Sequence, residues 1–246
     1  MLKSLYETGH PWVTFKDPSN IRYSNKHEGV VHSSNLCTEI LLHTKPTVYK
    51  DGEVEEIGET AVCNLASINL ENHVKIRTID WKKLQRTVEV SVRGLDNVID
   101  LNFYPTREAH QSNVRHRPVG LGVMGTHGLL HKLNVDYDSK EAVVLCGKIQ
   151  EFISYHAILT SSKLAKEKGA YWSYEGSEWS HGNLPIDTYC RLMNDRLPEH
   201  PKGGNDNQYQ IKDFETLEWD KVREHIQQYG MRNSNVMAIA PTATIS

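Results

Sequence analysis

Glycines at alternate positions set the first constraint. The run Arg115-His116-Arg117-Pro118-Val119-Gly120-Leu121-Gly122-Val123-Met124-Gly125 leaves the backbone bare at Gly120, Gly122 and Gly125. A residue without Cβ admits another backbone at close range, so a strand or helix is expected to pack against this stretch. The same glycines spell G-x-G-x-x-G. A dinucleotide site, however, needs an apolar strand just before the glycines and an acidic residue about 20 positions later. Here the preceding residues are basic and broken by Pro118, and Leu145 stands between Val144 and Cys146. The spacing is therefore read as packing.

The apolar pattern around this stretch alternates between helix and strand periods. Leu84, Val88, Val92, Leu95 and Ile99 recur at spacings of three and four, and Asp80 can cap them, which predicts an amphipathic helix over 80–100. A second, long helix is predicted over 139–168, capped by Asp138 or Ser139 and stopped by Gly169. Val143, Val144, Ile149, Phe152, Ile153, His156, Leu159 and Leu164 would form its inner face. A third is predicted over 218–229. Thr60–Leu70 and Val236–Ala240 read as buried strands. Lys50–Glu56 reads as a solvated hairpin, Trp12–Phe15 as a short strand and Asp17–Asn20 as a turn. A short helix ends near Gly9. Another begins at Leu184-Pro185 and carries Cys190, after an aromatic, Gly-rich loop over 170–185. Residues 199–213 are the most linker-like, and no repeat is present.

Composition narrows the function classes. The 28 basic and 31 acidic side chains leave a net charge of −3, which does not suggest a nucleic-acid surface. No unbroken apolar run approaches the roughly 20 residues of a membrane span. The N-terminus carries no apolar stretch of signal-peptide type. The four cysteines, Cys37, Cys63, Cys146 and Cys190, are widely and irregularly spaced. They form no metal-binding pair, and reduced thiols in the cytoplasm are the simplest account. The 13 histidines are scattered, and pairs such as His127 and His131 have no carboxylate at zinc-site spacing. They are expected on the surface or as hydrogen-bonded core residues, with no metal bound.

Two stretches carry candidate chemistry. In Ser33-Ser34-Asn35-Leu36-Cys37-Thr38-Glu39-Ile40 an amide, a thiol and a carboxylate stand two residues apart. On an extended strand or finger-like loop they would share one side, with Leu36, Thr38 and Ile40 anchoring the other. The competing reading is a buried strand with a packed thiol. The second stretch is the apolar run into Pro241-Thr242-Ala243-Thr244-Ile245-Ser246. Small residues and hydroxyls at a strand-to-helix turn suit an anion. An ordinary Pro-Thr-Ser turn is the alternative.

Four segments together resemble the large, catalytic subunit of ribonucleotide reductase. They are Ser34–Ile40, the run Cys63-Asn64-Leu65-Ala66-Ser67-Ile68-Asn69-Leu70, Arg115–Gly125, and Met231-Arg232-Asn233-Ser234 with Pro241–Ser246. The resemblance implies an α/β fold: part of a ten-stranded barrel with a finger loop through its centre, incomplete here. Residues 1–246 would be the central portion of the catalytic barrel. The resemblance further implies that Cys37 carries the thiyl radical, that Glu39 is the base on the ribose 3′-hydroxyl and that Asn35 binds the ribose hydroxyls. Cys63 would be one of two reducing thiols, its partner lying upstream of this chain. Ser34 would bind substrate, and Pro241, Thr242, Ala243, Thr244, Ile245 and Ser246 would hold the substrate diphosphate. Cys146 and Cys190 match no role in the family.

The same resemblance implies partners. These are a ribonucleoside diphosphate, the remaining parts of the large subunit, a small metal-containing subunit that supplies the radical, and thioredoxin or glutaredoxin as electron source. Adenosylcobalamin in place of the small subunit is the alternative, as is an inactive truncated or assembly fragment. A divided gene, an intein or intron after Ser246, or a partial sequence would each produce such a chain.

Overall fold

The glycine-spaced run becomes the central strand of the fold. In the computed structural model, which describes residues 1–196 and 216–245, it forms β6 (Val119–Met124). The preceding strands are β1 (Val48–Lys50), β2 (Glu53–Glu56), β3 (Asn64–Asn69), β4 (Val74–Lys75) and β5 (Thr78–Ile79). β6 runs parallel to β3 along its whole length, from Asn64 opposite Val119 to Asn69 opposite Met124. Its other edge is met by residues 235–238. Val119 N–H donates to Asn235 O at 3.0 Å, and Leu121 N–H to Val236 O at 2.8 Å.

The glycines permit these approaches. A Cβ on Gly120 would lie 2.5 Å from Leu65 Cδ2 and 2.8 Å from Ala238 Cβ, and one on Gly122 would lie 2.4 Å from Ala238 O. The expected strand over Val236–Ala240 is reduced to one parallel bridge, between Leu121 and Met237, and Ile239 already faces solvent. The pairings make three two-stranded sheets among the described residues, β1 with β2, β3 with β6 and β4 with β5. The architecture is mixed α/β, and these strands do not close a barrel.

The helices are α1 (Leu2–Thr8), α2 (Lys16–Arg22), α3 (Trp81–Leu101), α4 (Arg107–His116), α5 (Thr126–Leu133), α6 (Lys140–Lys168), α7 (Pro185–Arg196) and α8 (Trp219–Tyr229). α3 links β3 to β6 on the way to α4, as a parallel connection requires. Asp80 caps it by accepting from Lys83 N–H at 2.9 Å. Leu84, Val88, Val92, Leu95 and Ile99 are all buried, as their spacing predicts. Each such side chain stabilises by roughly 1.5–3 kcal/mol on full burial. α3 packs on α6, and α6 on α8.

Ser139 caps α6 and Gly169 ends it, as expected, but its inner face differs. The buried stripe runs through Ala142, Ile149, Ile153, Ala157 and Leu164. At 100° per residue Val143 and Val144 fall off that stripe, and both are exposed. α6 is long and apolar enough to cross a membrane by length and composition. One of its faces instead belongs to the shared core.

Two local expectations fail near the N-terminus. Residues 12–15 form no strand, because Trp12 and Phe15 are exposed and no neighbouring strand pairs with them. Asp17–Asn20 is helical rather than a turn. Pro18 sits in the first turn of α2, where a missing N–H costs nothing. The Lys50–Glu56 hairpin forms as expected around Asp51-Gly52. The linker-like segment 199–213 lies outside the described residues.

A buried ionic knot joins α3 to the elements around it. Arg117 donates from Nε to Asp96 Oδ1 at 2.9 Å and from Nη1 to Asp100 at 2.7 Å. Asn233 donates from Nδ2 to Asp96 at 3.1 Å and to Arg117 O at 3.0 Å. Ser161 on α6 donates to Asn233 Oδ1 at 2.9 Å. Asp96 and Asn233 have no exposed surface. The Arg117 and Met231–Ser234 motifs thus hold the start of β6 and its second neighbour, residues 235–238, against the two long helices.

Candidate active site

The segment carrying Cys37 is a tight turn. Thr38 N–H donates to Asn35 O and Asn35 N–H to Ile40 O, both at 3.3 Å. Asn35 Oδ1 accepts from Ile40 N–H at 3.1 Å. Thr38 takes a φ of 71°. That left-handed residue breaks the two-residue alternation, so Asn35, Cys37 and Glu39 do not form one extended face. The amide of Asn35 caps the turn. Leu36 is 83% exposed instead of anchoring the loop. Cys37 sits exposed at the tip, which removes the packed-thiol reading. Ser34 and Asn35 line a cavity of about 430 Å³ with His10, Trp12 and Lys16.

Glu39 lies on the inner side of this turn. Its Oε2 is buried and has no hydrogen-bond partner among the described residues. It lines a cavity of about 490 Å³ with Tyr23, Ser24, Asn235 and Met237. It also lies close to Cys63. Burial, together with the Glu39 charge, pushes the Cys63 thiol up to about 12. Cys63 therefore stays a neutral S–H at physiological pH. Cys63 is half-buried beside β6, where a Cβ on Gly120 would lie 3.4 Å from its Sγ. The fold thus brings together Glu39, Cys63, Gly120 and the 235–238 segment, which reach this point from four parts of the sequence.

The Pro241–Ile245 stretch leaves this neighbourhood as an exposed bend at Ala243-Thr244, with no helix start in it. Ser246 lies outside the described residues. Cys190 is buried on α7 and Cys146 half-buried on α6, away from these groups in the chain.

A second constellation escaped the sequence reading. Glu59 is 1% exposed, and its Oε2 accepts from His43 Nε2 and His116 Nε2, each at 2.8 Å. The remaining imidazole nitrogens meet Tyr23 Oη and Ser173 Oγ, each at 2.6 Å. With neutral rings, each Nε2–H donates to the carboxylate and each Nδ1 accepts from a hydroxyl. Burial opposes the Glu59 charge, but hydrogen bonds from His116 and His43 outweigh it and hold the carboxyl well below the usual range. Burial lowers His116, with Glu59 opposing.

Glu28 completes the rim, paired with Lys45 and Arg115 at 2.9 Å each. Arg115 stacks over Trp172 with its guanidinium 4.3 Å from the ring centroid. Glu28, His43 and His116 bring three potential metal-ligating atoms within 4.8 Å. Lys45 and Arg115 already balance the two carboxylates, and both imidazoles are fully hydrogen-bonded to protein. These histidines match the expectation of hydrogen-bonded core residues. Only their separation in sequence concealed the cluster.

Comparison with known proteins resolves the family. The family described as "Ribonucleotide reductase, barrel domain" matches residues 1–246. The chain belongs to this family. Within the ribonucleotide reductase family it is 53% identical over 246 residues to a ribonucleoside-diphosphate reductase subunit alpha from Chlamydia pneumoniae, covering all of this chain and 22% of that protein. It is 38% identical over 291 residues to a subunit alpha from Helicobacter pylori, covering 35% of that protein. It is 38% identical over 249 residues to a large chain from Neurospora crassa, covering 23% of it. The chain therefore spans about a quarter to a third of the length of these reductase relatives.

Proposed function

We infer that residues 1–246 are the central portion of the catalytic barrel of a ribonucleoside-diphosphate reductase, active once assembled with the rest of the large subunit. The observation that carries this reading is the buried, unpartnered Glu39 carboxylate oxygen beside the neutral thiol of Cys63, in a chain of this family. An acid group without an internal partner is suited to take a proton from a bound hydroxyl.

In this reading a sulfur radical at Cys37 takes the 3′-hydrogen of the ribose, forming S–H and a carbon radical. Glu39 takes the 3′-hydroxyl proton and later returns it, while one S–H of the Cys63 pair protonates the 2′-hydroxyl, which departs as water, and the other hydrogen of the pair goes to C2′. Cys63 and a second thiol outside these residues supply two electrons and end as a disulfide. Cys37 then returns its hydrogen to C3′ and regains the radical. Thiol exchange with thioredoxin or glutaredoxin resets the pair. Asn35 binds the ribose hydroxyls, Ser34 contacts the substrate, and the stretch Pro241–Ser246 holds the diphosphate. The work is done in the cytoplasm. A small metal-containing subunit supplies the radical. The names of the relatives, subunit alpha and large chain, support a two-component enzyme over the adenosylcobalamin alternative. Intact Asn35, Cys37, Glu39 and Cys63 weigh against an inactive remnant.

The test is CDP reduction by the large subunit carrying these residues, assembled with its small subunit. Cys37→Ser should abolish dCDP formation while nucleotide binding survives. A Cys37→Ser enzyme that still turned over would remove the assignment.

A further inference from the structure

The geometry points to Glu59 as a positioning residue that fixes Glu39 against Cys63 by tying together the three segments that meet at that thiol. The inference rests on the reductase reading above. Glu59 stands four residues before Cys63, and His43 stands four after Glu39. The carboxylate and the imidazole are joined at 2.8 Å. The two segments are also joined through their backbones, where Lys45 and Glu59 exchange both N–H···O bonds at 2.9 Å. Neither segment can slide without breaking all three links. Glu39 and Cys63 lie where the two segments run on from this clasp, and the Glu39 charge adds to burial in keeping the Cys63 thiol neutral.

The third segment enters through His116. It ends α4 and lies three residues before β6, whose Gly120 faces the Cys63 sulfur. Its bond to the same Glu59 oxygen, at 2.8 Å, locks the β6 side to the other two. Every charged or titratable group facing Glu59 then has a task. His43 and His116 donate to it. Arg115 Nη1 lies 3.5 Å from Oε1, and Lys45 and Arg115 are held by Glu28. Tyr23 and Ser173 orient the two rings. Glu59 is buried and lines neither cavity that Glu39 or Ser34 lines. It acts on the reaction only through where it holds other groups. Buried, hydrogen-bonded supports of this kind decide whether reacting groups stay within the fraction of an ångström that chemistry demands.

The experiment uses the assembled reductase and two readings, steady-state CDP reduction and the rate of Cys63 alkylation by iodoacetamide at pH 8, followed by mass spectrometry. Glu59→Gln should lower turnover about 10- to 100-fold, the cost of a misplacement on the order of 1 Å, with little change in the nucleotide KM. Freed from Glu39, Cys63 should alkylate several-fold faster. His43→Gln, which keeps an N–H toward Glu59, should retain wild-type behaviour, whereas His43→Leu should reproduce Glu59→Gln. Glu55→Gln, on the exposed hairpin, is the control and should change neither reading.

Wild-type turnover together with wild-type Cys63 alkylation in Glu59→Gln would overturn the inference. If Glu59→Gln yields no soluble protein, the two His43 variants decide by the same readings. If the unmodified assembly reduces no CDP, the reductase reading falls. Cys63 alkylation alone then judges Glu59, with an unchanged rate overturning its role and a faster one supporting it.

Discussion

Asp96 on α3 and Arg117 at the entrance to β6 form a buried ion pair, Nε to Oδ1 at 2.9 Å, with Asp96 wholly enclosed. Lys168 and Arg232 also approach Asp96, at 3.4 Å each. Removing the carboxylate leaves a buried guanidinium short of its partner. Asp96→Ala should therefore destabilise the protein by about 3–5 kcal/mol. The shift in urea unfolding midpoint measures it, and a change below about 1 kcal/mol would show that Asp100 alone satisfies Arg117.

Gly122 and Gly94 should respond in opposite directions to the same substitution. A Cβ at Gly122 meets Ala238 O at 2.4 Å, a backbone atom that cannot step aside. Gly122→Ala should push the 236–240 segment off β6, lowering the melting temperature by several degrees, as overpacking of about 1–3 kcal/mol does. Gly94 lies exposed on α3 with nothing within 4 Å of its would-be Cβ. Gly94→Ala should stabilise by about 0.5–1 kcal/mol through helix propensity. Thermal denaturation of both variants checks the pair.

The Glu59 cluster should make stability fall in acid. Glu59 is held below the usual carboxylate range and His116 below the usual imidazole range. Both folded-state values are depressed, so the unfolded chain binds more protons and stability rises with pH. The contribution is complete above the imidazole range. It is lost in steps as the pH drops below about 6.5 for His116 and then about 4.3 for Glu59. Urea midpoints should fall more steeply between pH 8 and pH 5 for Glu59→Gln than for wild type, because the variant loses the carboxylate that opposes the lowering of His116. Parallel curves would remove this role.

The thiols of Cys37 and Cys63 should differ in reactivity. Cys37 is exposed at its turn, whereas Cys63 is half-buried and pushed up to about 12 by burial and by Glu39. Iodoacetamide at pH 8 attacks thiolates. Peptide mass spectrometry should find Cys37 modified well before Cys63. Glu39→Gln, which removes the neighbouring charge, should narrow the gap. Equal rates in wild type would contradict the arrangement.

Which parts of this fold can be read from sequence depends on the range of the interaction involved. α3 and α8 follow from apolar spacing and flanking caps, signals contained within about 20 residues. The Gly120 and Gly122 contacts follow from the absence of side chains, although the glycines alone do not name Ala238 as the neighbour. Residues 12–15 mislead because apolar β-formers without a neighbouring strand stay as exposed chain. Asp17-Pro18 misleads because proline suits both a turn and a first helical turn. At Ser34–Glu39 the reading of alternate positions fails at one residue, Thr38, whose left-handed backbone turns the chain. Glu39 beside Cys63 and the Glu59 cluster lie beyond local reading, since each depends on which distant loops pack together.

The carboxylate of Glu59 draws its partners from 16 residues upstream and 57 residues downstream. Closing a loop of the longer kind costs more chain entropy and comes later. A nascent chain can fasten the 43–45 and 59 segments together as soon as they leave the ribosome. The final tether arrives only after α3 and α4 have been synthesised. The thiol at position 63 thus reaches its folded surroundings late, so a chain truncated ahead of residue 116 would carry it in an unfinished setting.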